Sequence, residues 1–552
     1  MNYGFIIDNR KCIGCHACTV ACKAEHDVAI GVNRTWVKYI EKGQFPHTRR
    51  IFSVMRCNHC EDAPCVEICP VQALYIRDDG IVDFDNRRCI GCKACTQACP
   101  YDSIYIDPQT HTAAKCNYCA HRIDIGLEPA CVNVCPEHAI ISGDLDDPNS
   151  EISQLLSRYQ VTARKVEKGT RPKLFYIDGD EASLTPVVTR QLTEYMWSGQ
   201  SSGVGHYARY AETRLQQSDP QKLQQQLNGN NPQWLELDGK QVRIPGVGEG
   251  DKFFEKAKAV LKENARRVYD APRKGVMWGW EVSAYVWTKA ISAGAFLVLF
   301  GAAGLDLAAV PQAFQWAAVG LGLFFLSATG LLLIKDLDKP TRFAYVLLRP
   351  QWNSWLVRGG YMITLYGGLV TLWAIGKFFH IKALQQVSLW MGALVAIMVA
   401  IYTAFLFAQA KGRDFWQNPV LPLHMFGHSV LAGAAALALL IPLLGSTTEW
   451  VQYLTQVMKA ALIFNALVLI AELVTHHPTE DARLTVDMIV RGAFRWTFWL
   501  GAIGVGLVLP LMVLMLGSGT VMELSAAALL ALAGMYFTEH IWVRAPQLIP
   551  LS

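Results

Sequence analysis

Beyond Cys135 the sequence has no cysteine at all, although sixteen lie up to and including that point. This lopsided distribution argues against a disulfide framework spread through the chain. The opening residues, MNYGFIIDNRKC, hold no apolar export segment and no twin arginine. A reducing compartment, where cysteines hold metal, is therefore expected. The formal charge is only +4 over 552 residues, which gives no basis for nucleic-acid binding. No nucleophile constellation, nucleotide-binding loop or molybdenum site is apparent. Most long apolar runs lie beyond residue 280, so the chain reads as two chemically different halves.

The cysteines of the first half fall into repeated motifs. Cys12, Cys15, Cys18 and Cys22 follow a C-x2-C-x2-C-x3-C pattern, and Cys89, Cys92, Cys95 and Cys99 repeat it. Cys57, Cys60, Cys65 and Cys69 form a looser version, as do Cys116, Cys119, Cys131 and Cys135. Three thiolates on one tight loop can bind one iron–sulfur cubane, while the fourth cysteine points away and serves a neighbouring cluster. Structural zinc sites instead use separated pairs with four ligands per metal. Gly14 and Gly91 let the backbone turn closely around sulfur. Pro70, Pro100 and Pro136 end their loops. Lys11, Arg56, Arg88, Lys93 and Lys115 flank the motifs and either raise cluster potentials or form solvated surface. Leu74–Phe84 reads as a hairpin about Asp79-Gly80.

These motifs resemble the four-cluster ferredoxin-like subunits of membrane-bound molybdopterin oxidoreductases such as dimethyl sulfoxide, polysulfide, tetrathionate and nitrate reductases. The resemblance implies four [4Fe–4S] clusters. One takes Cys12, Cys15, Cys18 and Cys135; its neighbour takes Cys22, Cys116, Cys119 and Cys131. A third takes Cys57, Cys60, Cys65 and Cys99, and the last Cys69, Cys89, Cys92 and Cys95. Gly169–Ile177 resembles the final strand of that family.

Residues 181–274 read as a connecting region, with a Gln-rich helix-compatible stretch at 207–228 and a hairpin about Asp238-Gly239. Asp251 to Arg267 reads as an amphipathic helix with Phe253, Phe254, Ala257 and Val260/Leu261 on one face. Eight apolar stretches then approach membrane-spanning length, near 281–304, 313–335, 357–379, 387–410, 420–445, 450–474, 492–516 and 521–543. With the N-terminal side cytoplasmic, the inner loops collect Arg266, Arg267, Arg273, Lys274, Lys335, Lys339, Arg342, Arg349, Arg358, Lys411, Arg413, Arg483, Arg491, Arg495 and Arg544. The outer loops hold only Lys377 and Lys382. This asymmetry predicts a cytoplasm-facing cluster domain on the inner membrane.

Trp278–Gly294, Asp336–Phe343 and Asn353–Gly359 resemble the NrfD/polysulfide reductase-type membrane anchor. That family implies quinone exchange beside an iron–sulfur subunit, with no haem. A di-haem anchor needs His pairs on facing helices, whereas His424, His428, His476, His477 and His540 lie mostly near span ends. Glu281, Tyr285 and Lys289 share one face of the first span and form the candidate quinone site. Asp336, Arg358, His424, His428, Glu472, His476, Glu539 and His540 fall toward the same side, with Asn465 deeper.

The expected fold is thus multidomain. An α+β double-ferredoxin-like domain (1–180) and a connecting region (181–274) precede an all-α membrane domain (275–552) of eight transmembrane helices. The expected function is electron transfer between membrane quinone and a molybdopterin-containing catalytic subunit, where the substrate chemistry resides. The alternatives are a proton-translocating redox module and a passive anchor of another respiratory complex.

Overall fold

The computed structural model describes residues 1–44, 47–186, 189–191, 234–237, 240–243, 265–271, 274–475 and 477–552. In the amino-terminal domain, β1 (Tyr3–Asp8) runs parallel to β10 (Leu174–Ile177) and antiparallel to β8 (Ile140–Asp144). With β9 (Val161–Thr162) the sheet order is β8-β1-β10-β9. Phe5, Ile7, Ile140, Leu174 and Tyr176 pack from it against Cys18, Tyr118 and Cys131. Two short hairpins, β4 (Leu74–Ile76) with β5 (Val82–Phe84) and β6 (Ile104–Ile106) with β7 (Ala113–Lys115), complete a ferredoxin-like α+β arrangement. The first hairpin is the one the Asp79-Gly80 pair predicts, and Gly80 has φ +76°.

The connecting region is more than a tether. A second sheet joins β2 (Thr35–Gln44) and β3 (His47–Arg56) of the cluster domain to β11 (Arg190–Gln191) and β14 (Arg266–Tyr269) in the order β11-β14-β2-β3. The expected helix over Asp251 to Arg267 is therefore corrected at its end: Arg266 and Arg267 are in a strand. The free edge of β2 offers a row of backbone partners, and pairing with it outweighs local helical periodicity. Residues 251–264 and the stretch 207–228 lie outside the described residues. β12 (Trp234–Leu237) and β13 (Lys240–Arg243) pair antiparallel with Leu237 opposite Lys240, and the expected Asp238-Gly239 turn itself lies outside the described residues.

Among the described residues, seven helices are long and apolar enough to cross a membrane: α2 (Trp280–Ala303), α3 (Gln312–Lys335), α5 (Lys382–Gln409), α6 (Leu421–Leu444), α7 (Thr448–Val474), α9 (Thr497–Leu516) and α10 (Val521–Leu548). The chain is thus a multi-pass membrane protein. The expected stretch at 357–379 also forms a 24-residue helix, α4 (Trp355–Phe378). Glycines, threonines, aromatics and Arg358 dilute its apolar character, so it is not among the seven. A short helix, α8 (Glu480–Val490), precedes α9, whose first part, Thr497–Val508, is wound as a π-helix. At the bundle centre Gly294 of α2 meets Gly433 of α6 backbone to backbone, leaving no room for a Cβ on either. Outward-facing Phe324, Leu331, Leu394, Leu467, Leu500 and Leu529 give the bundle an apolar rim suited to lipid.

The two halves share one core. Cys65, Cys69, Cys89, Cys95 and Cys99 pack in the same apolar cluster as Trp278, Tyr285, Phe407, Trp416 and Trp542. Loops from one end of the bundle bind the cluster domain directly. Arg342 donates to the Cys89 carbonyl at 2.8 Å, Ser354 Oγ to Ile68 O at 2.7 Å and Gln351 N to Pro70 O at 3.0 Å. Lys93 pairs with Asp338 at 3.2 Å, and the buried Arg413 donates to Gln97 at 2.9 Å.

Candidate functional site

The repeated sequence motifs fold into repeated backbone. Gly14 and Gly91 have φ +72° and +70°, and His16 and Lys93, two residues on, have φ +61° and +60°. Each left-handed step ends a cysteine loop and starts a helix, Ala17–His26 (α1) or Ala94–Ala98. At Gly91 a side chain would also strike Asp338 of the membrane half.

None of the sixteen cysteines forms a disulfide, and they gather in four sets. Cys12 lies within electrostatic range of Cys15 and Cys135, and one small hollow has Cys12, Cys15, Cys18 and Cys135 in its lining. Cys22 faces Cys116, Cys119 and Cys131. Cys60 and Cys65 face Cys57 and Cys99. A second small hollow has Cys69, Cys89, Cys92 and Cys95 in its lining. The sets form a row, because Cys18 also neighbours Cys131, Cys57 neighbours Cys116, and Cys95 neighbours Cys65. One end abuts the membrane half, where Trp278 Nε1 donates to the Cys92 carbonyl at 3.1 Å. The other end reaches solvent at Cys15.

The donor chemistry fits iron–sulfur clusters. Burial pushes the Cys18 thiol up to about 12 and Cys119 likewise to about 12; only metal would hold such groups as thiolates at neutral pH. Backbone N–H groups already point at sulfur, from Ala73 to Cys69 Sγ and from Ala139 to Cys135 Sγ, both at 3.2 Å. Arg56 Nη2 donates to Cys131 Sγ at 2.8 Å, and His26 Nε2 lies 3.2 Å from Cys119 Sγ. His26 escaped notice in the sequence, although it stands one helical turn after Cys22 on α1.

The basic residues flanking the motifs separate by burial. Arg56 and Lys115 are wholly buried, whereas Lys11 and Arg88 are exposed. Burial alone would push the Arg56 guanidinium down, but the sulfurs of Cys131, Cys116 and Cys18 raise it above its ordinary value. Lys115 donates to the carbonyls of Val82 and Cys116.

In the membrane half the structure divides the expected quinone face. Glu281 turns to the edge, 3.8 Å from Lys335. Tyr285 is buried within range of Tyr402, Thr403, Asp336 and Glu539. Lys289 donates to Thr403 Oγ1 at 2.7 Å and to the Ala400 carbonyl at 2.9 Å, with its ammonium over the Tyr402 ring. Of the other polar groups, His424 pairs with Glu472 and His428 with Glu539, each at 2.7 Å. Arg358 turns back to the Trp352 carbonyl, and His540 contacts Arg544. Asn465 is buried beside Gly427, and His476 lies outside the described residues. An aromatic stack, unremarked in the sequence, leads inward from the last cysteine set. Trp278 stacks on Phe407 and Trp416, and Trp416 Nε1 donates to the Trp542 carbonyl at 2.8 Å. A lateral apolar groove, lined by Leu469, Leu473, Phe498, Trp499, Ile503 and Leu507, does not include Glu281, Tyr285 or Lys289.

Comparison with known proteins agrees with this division. Residues 270–550 match the family described as polysulphide reductase, NrfD, and residues 11–74 and 48–145 match 4Fe-4S dicluster domains. A tetrathionate reductase subunit of Salmonella typhimurium is 44% identical over 192 residues, covering 34% of this chain and 77% of that protein. A polysulfide reductase chain of Wolinella succinogenes is 42% identical over 180 residues, covering 32% and 93%. Thiosulfate reductase electron transfer subunit PhsB of Salmonella typhi is 45% identical over 162 residues, covering 29% and 83%. Multiple [4Fe–4S] clusters therefore belong to the amino-terminal domain. The chain belongs to the NrfD polysulphide reductase family through its membrane half, joined in one polypeptide to the dicluster iron–sulfur subunits of such reductases.

Proposed function

We propose that this chain is the electron-transfer and membrane-anchor subunit of a quinone-linked molybdopterin oxidoreductase. In this reading it carries four [4Fe–4S] clusters, which supply one-electron steps. The ligands are Cys12, Cys15, Cys18 and Cys135; Cys22, Cys116, Cys119 and Cys131; Cys57, Cys60, Cys65 and Cys99; and Cys69, Cys89, Cys92 and Cys95. The observation that carries the reading is the row of four cysteine sets running from Trp278 in the membrane half to exposed Cys15. The buried end suits exchange with quinone, and the exposed end suits docking of a catalytic subunit. Haem has no part in this reading.

Quinone takes two electrons and two protons, so its site needs hydrogen-bond donors and a proton carrier. Tyr285 and Lys289 are the candidates, with Glu281 at the mouth. Tyr285 is within range of both Asp336 and Thr403. Thr403 also holds the Lys289 ammonium in place.

We further propose that α4 is an eighth span. It is antiparallel to α5: Trp355 N donates to Gln409 Oε1 at one end, and Gln385 Nε2 to the Gly376 carbonyl at the other. Its exposed Leu365, Leu372 and Phe378 suit lipid. The loops carrying Lys335, Lys339, Arg342, Lys411 and Arg413 lie at the end bound to the cluster domain. By the positive-inside rule this end faces the cytoplasm, in the inner membrane.

Anaerobic purification in mild detergent tests the assembly. Molybdenum or tungsten with a large co-purifying chain is expected; an intact, redox-active preparation lacking both would overturn the molybdopterin assignment. Stopped-flow reduction of the clusters by quinol tests the site. Slowing in Tyr285→Phe or Lys289→Ala is expected, and unchanged kinetics in both would remove these residues from it.

A further inference from the structure

One buried cluster of side chains has no role in the reading above. His424 and His428 stand one turn apart on α6, so both imidazoles leave the same helix face, with ring centroids 4.2 Å apart. Glu539 of α10 faces them, its Oε1 2.7 Å from His428 Nδ1. One donor atom from each of the three lies within 4.8 Å of the others, and all three residues are buried.

His424 is the most telling member. It is 2% exposed. Its Nδ1 is held by Glu472 Oε2 at 2.7 Å, while its Nε2 has no hydrogen-bond partner among the described residues. A buried ring nitrogen without a partner carries a desolvation cost. An imidazole fixed by a carboxylate through one nitrogen and presenting the other is the habitual posture of a metal-ligating histidine. Two histidines at i and i+4 on one helix, with a glutamate from elsewhere, make a His2Glu donor set.

Charge balance points the same way. Glu472 and Glu539 place two carboxylates inside the bundle, where unbalanced charge is costly. Lys289 is within range of Glu539, but its ammonium is directed to Thr403 and the Ala400 carbonyl. A divalent ion would balance both carboxylates. The mixed nitrogen and oxygen donors favour an ion of the zinc class over magnesium or calcium, which prefer oxygen alone.

We propose that His424, His428 and Glu539 bind one divalent transition-metal ion of the zinc class, with Glu472 orienting His424 from behind. Binding draws the donors inward, because ligands at roughly 2.0–2.2 Å from a tetrahedral ion lie about 3.4 Å from one another. The ion pins α6 to α10 beside Trp542, whose ring lies 5.3 Å from that of His424.

The test uses the full chain in detergent with its iron–sulfur clusters intact. After treatment with a chelator and desalting, zinc chloride is titrated in, and bound zinc is measured by mass spectrometry and zinc K-edge absorption. One zinc per chain in a shell of nitrogen and oxygen is expected. His428→Ala and Glu539→Gln should abolish that zinc while cluster iron stays at the unmodified level. Glu472→Gln should weaken binding by roughly 10- to 100-fold at unchanged stoichiometry. Absence of stoichiometric zinc in the unmodified chain, a sulfur shell around it, or retention in both ligand variants would overturn the proposal. If a variant also loses cluster iron, the zinc shell of the unmodified chain decides.

Discussion

Replacing Arg56 by methionine removes a buried cation and leaves a side chain of comparable length. Arg56 donates to Cys131 Sγ at 2.8 Å and lies over the Phe5 ring at 4.2 Å. Its Nε and Nη1 have no partner among the described residues, so the charge is answered by the surrounding sulfurs. In the proposed assignment, reduction adds one electron to the cluster that Cys22, Cys116, Cys119 and Cys131 would hold. At about 5 Å from that charge and an effective dielectric of about 20, the guanidinium stabilises the reduced state by about 3 kcal/mol. A hydrogen bond to a charged group is worth about 1.5–3 kcal/mol, which agrees. For one electron, 1.4 kcal/mol corresponds to about 59 mV, so Arg56→Met should lower this potential by about 60–130 mV. Arg56→Lys keeps the charge and should recover part of the loss. A potentiometric titration followed by electron paramagnetic resonance measures each cluster. The set holding Cys18, which also faces Arg56, should shift less. If every cluster stays within about 20 mV of its unmodified potential, the electrostatic reasoning is refuted.

Three further outcomes are expected. Gly433→Val should prevent assembly of the membrane bundle, since any side chain there meets the backbone of α2; an unmodified yield of detergent-stable protein would contradict the close approach. Trp278→Phe should keep the ring in its stack but leave the Cys92 carbonyl without its donor, lowering thermal resistance of cluster iron by about 1 kcal/mol equivalent. An unchanged melting profile would show that bond to be idle. Total iron and acid-labile sulfide should each reach sixteen per chain, four cubanes on the sixteen cysteines; a value near twelve would remove one cluster.

The cysteine motifs were legible because their chemistry is local: three ligands on one loop must be close in sequence. The contacts that distinguish one flanking cation from another were not. Arg56 and Lys11 look alike in the sequence, and only the return of Cys131 and Phe5 around Arg56 makes it a buried charge. The membrane helices could be read from apolar length, yet α4 shows that glycine and aromatic content blurs that signal. The i,i+4 spacing of His424 and His428 was visible; their carboxylate partners, Glu472 and Glu539, come from α7 and α10 and were not. Arg266 and Arg267 follow a helical pattern, but the open edge of β2 is a distant partner that local periodicity does not contain.

That strand has a consequence for how such fusions can diversify. β11 and β14 are neighbours in one sheet, with Arg190 opposite Arg266. The polypeptide between them departs from and rejoins nearly the same point. Lengthening that excursion costs little, because closure entropy grows only with the logarithm of loop length. The seating of the cysteine row on the membrane half is then fixed by direct contacts, such as Arg342 to the Cys89 carbonyl, rather than by linker length. Insertions or whole modules between residues 192 and 265 can accumulate while the geometry of the electron path stays constant.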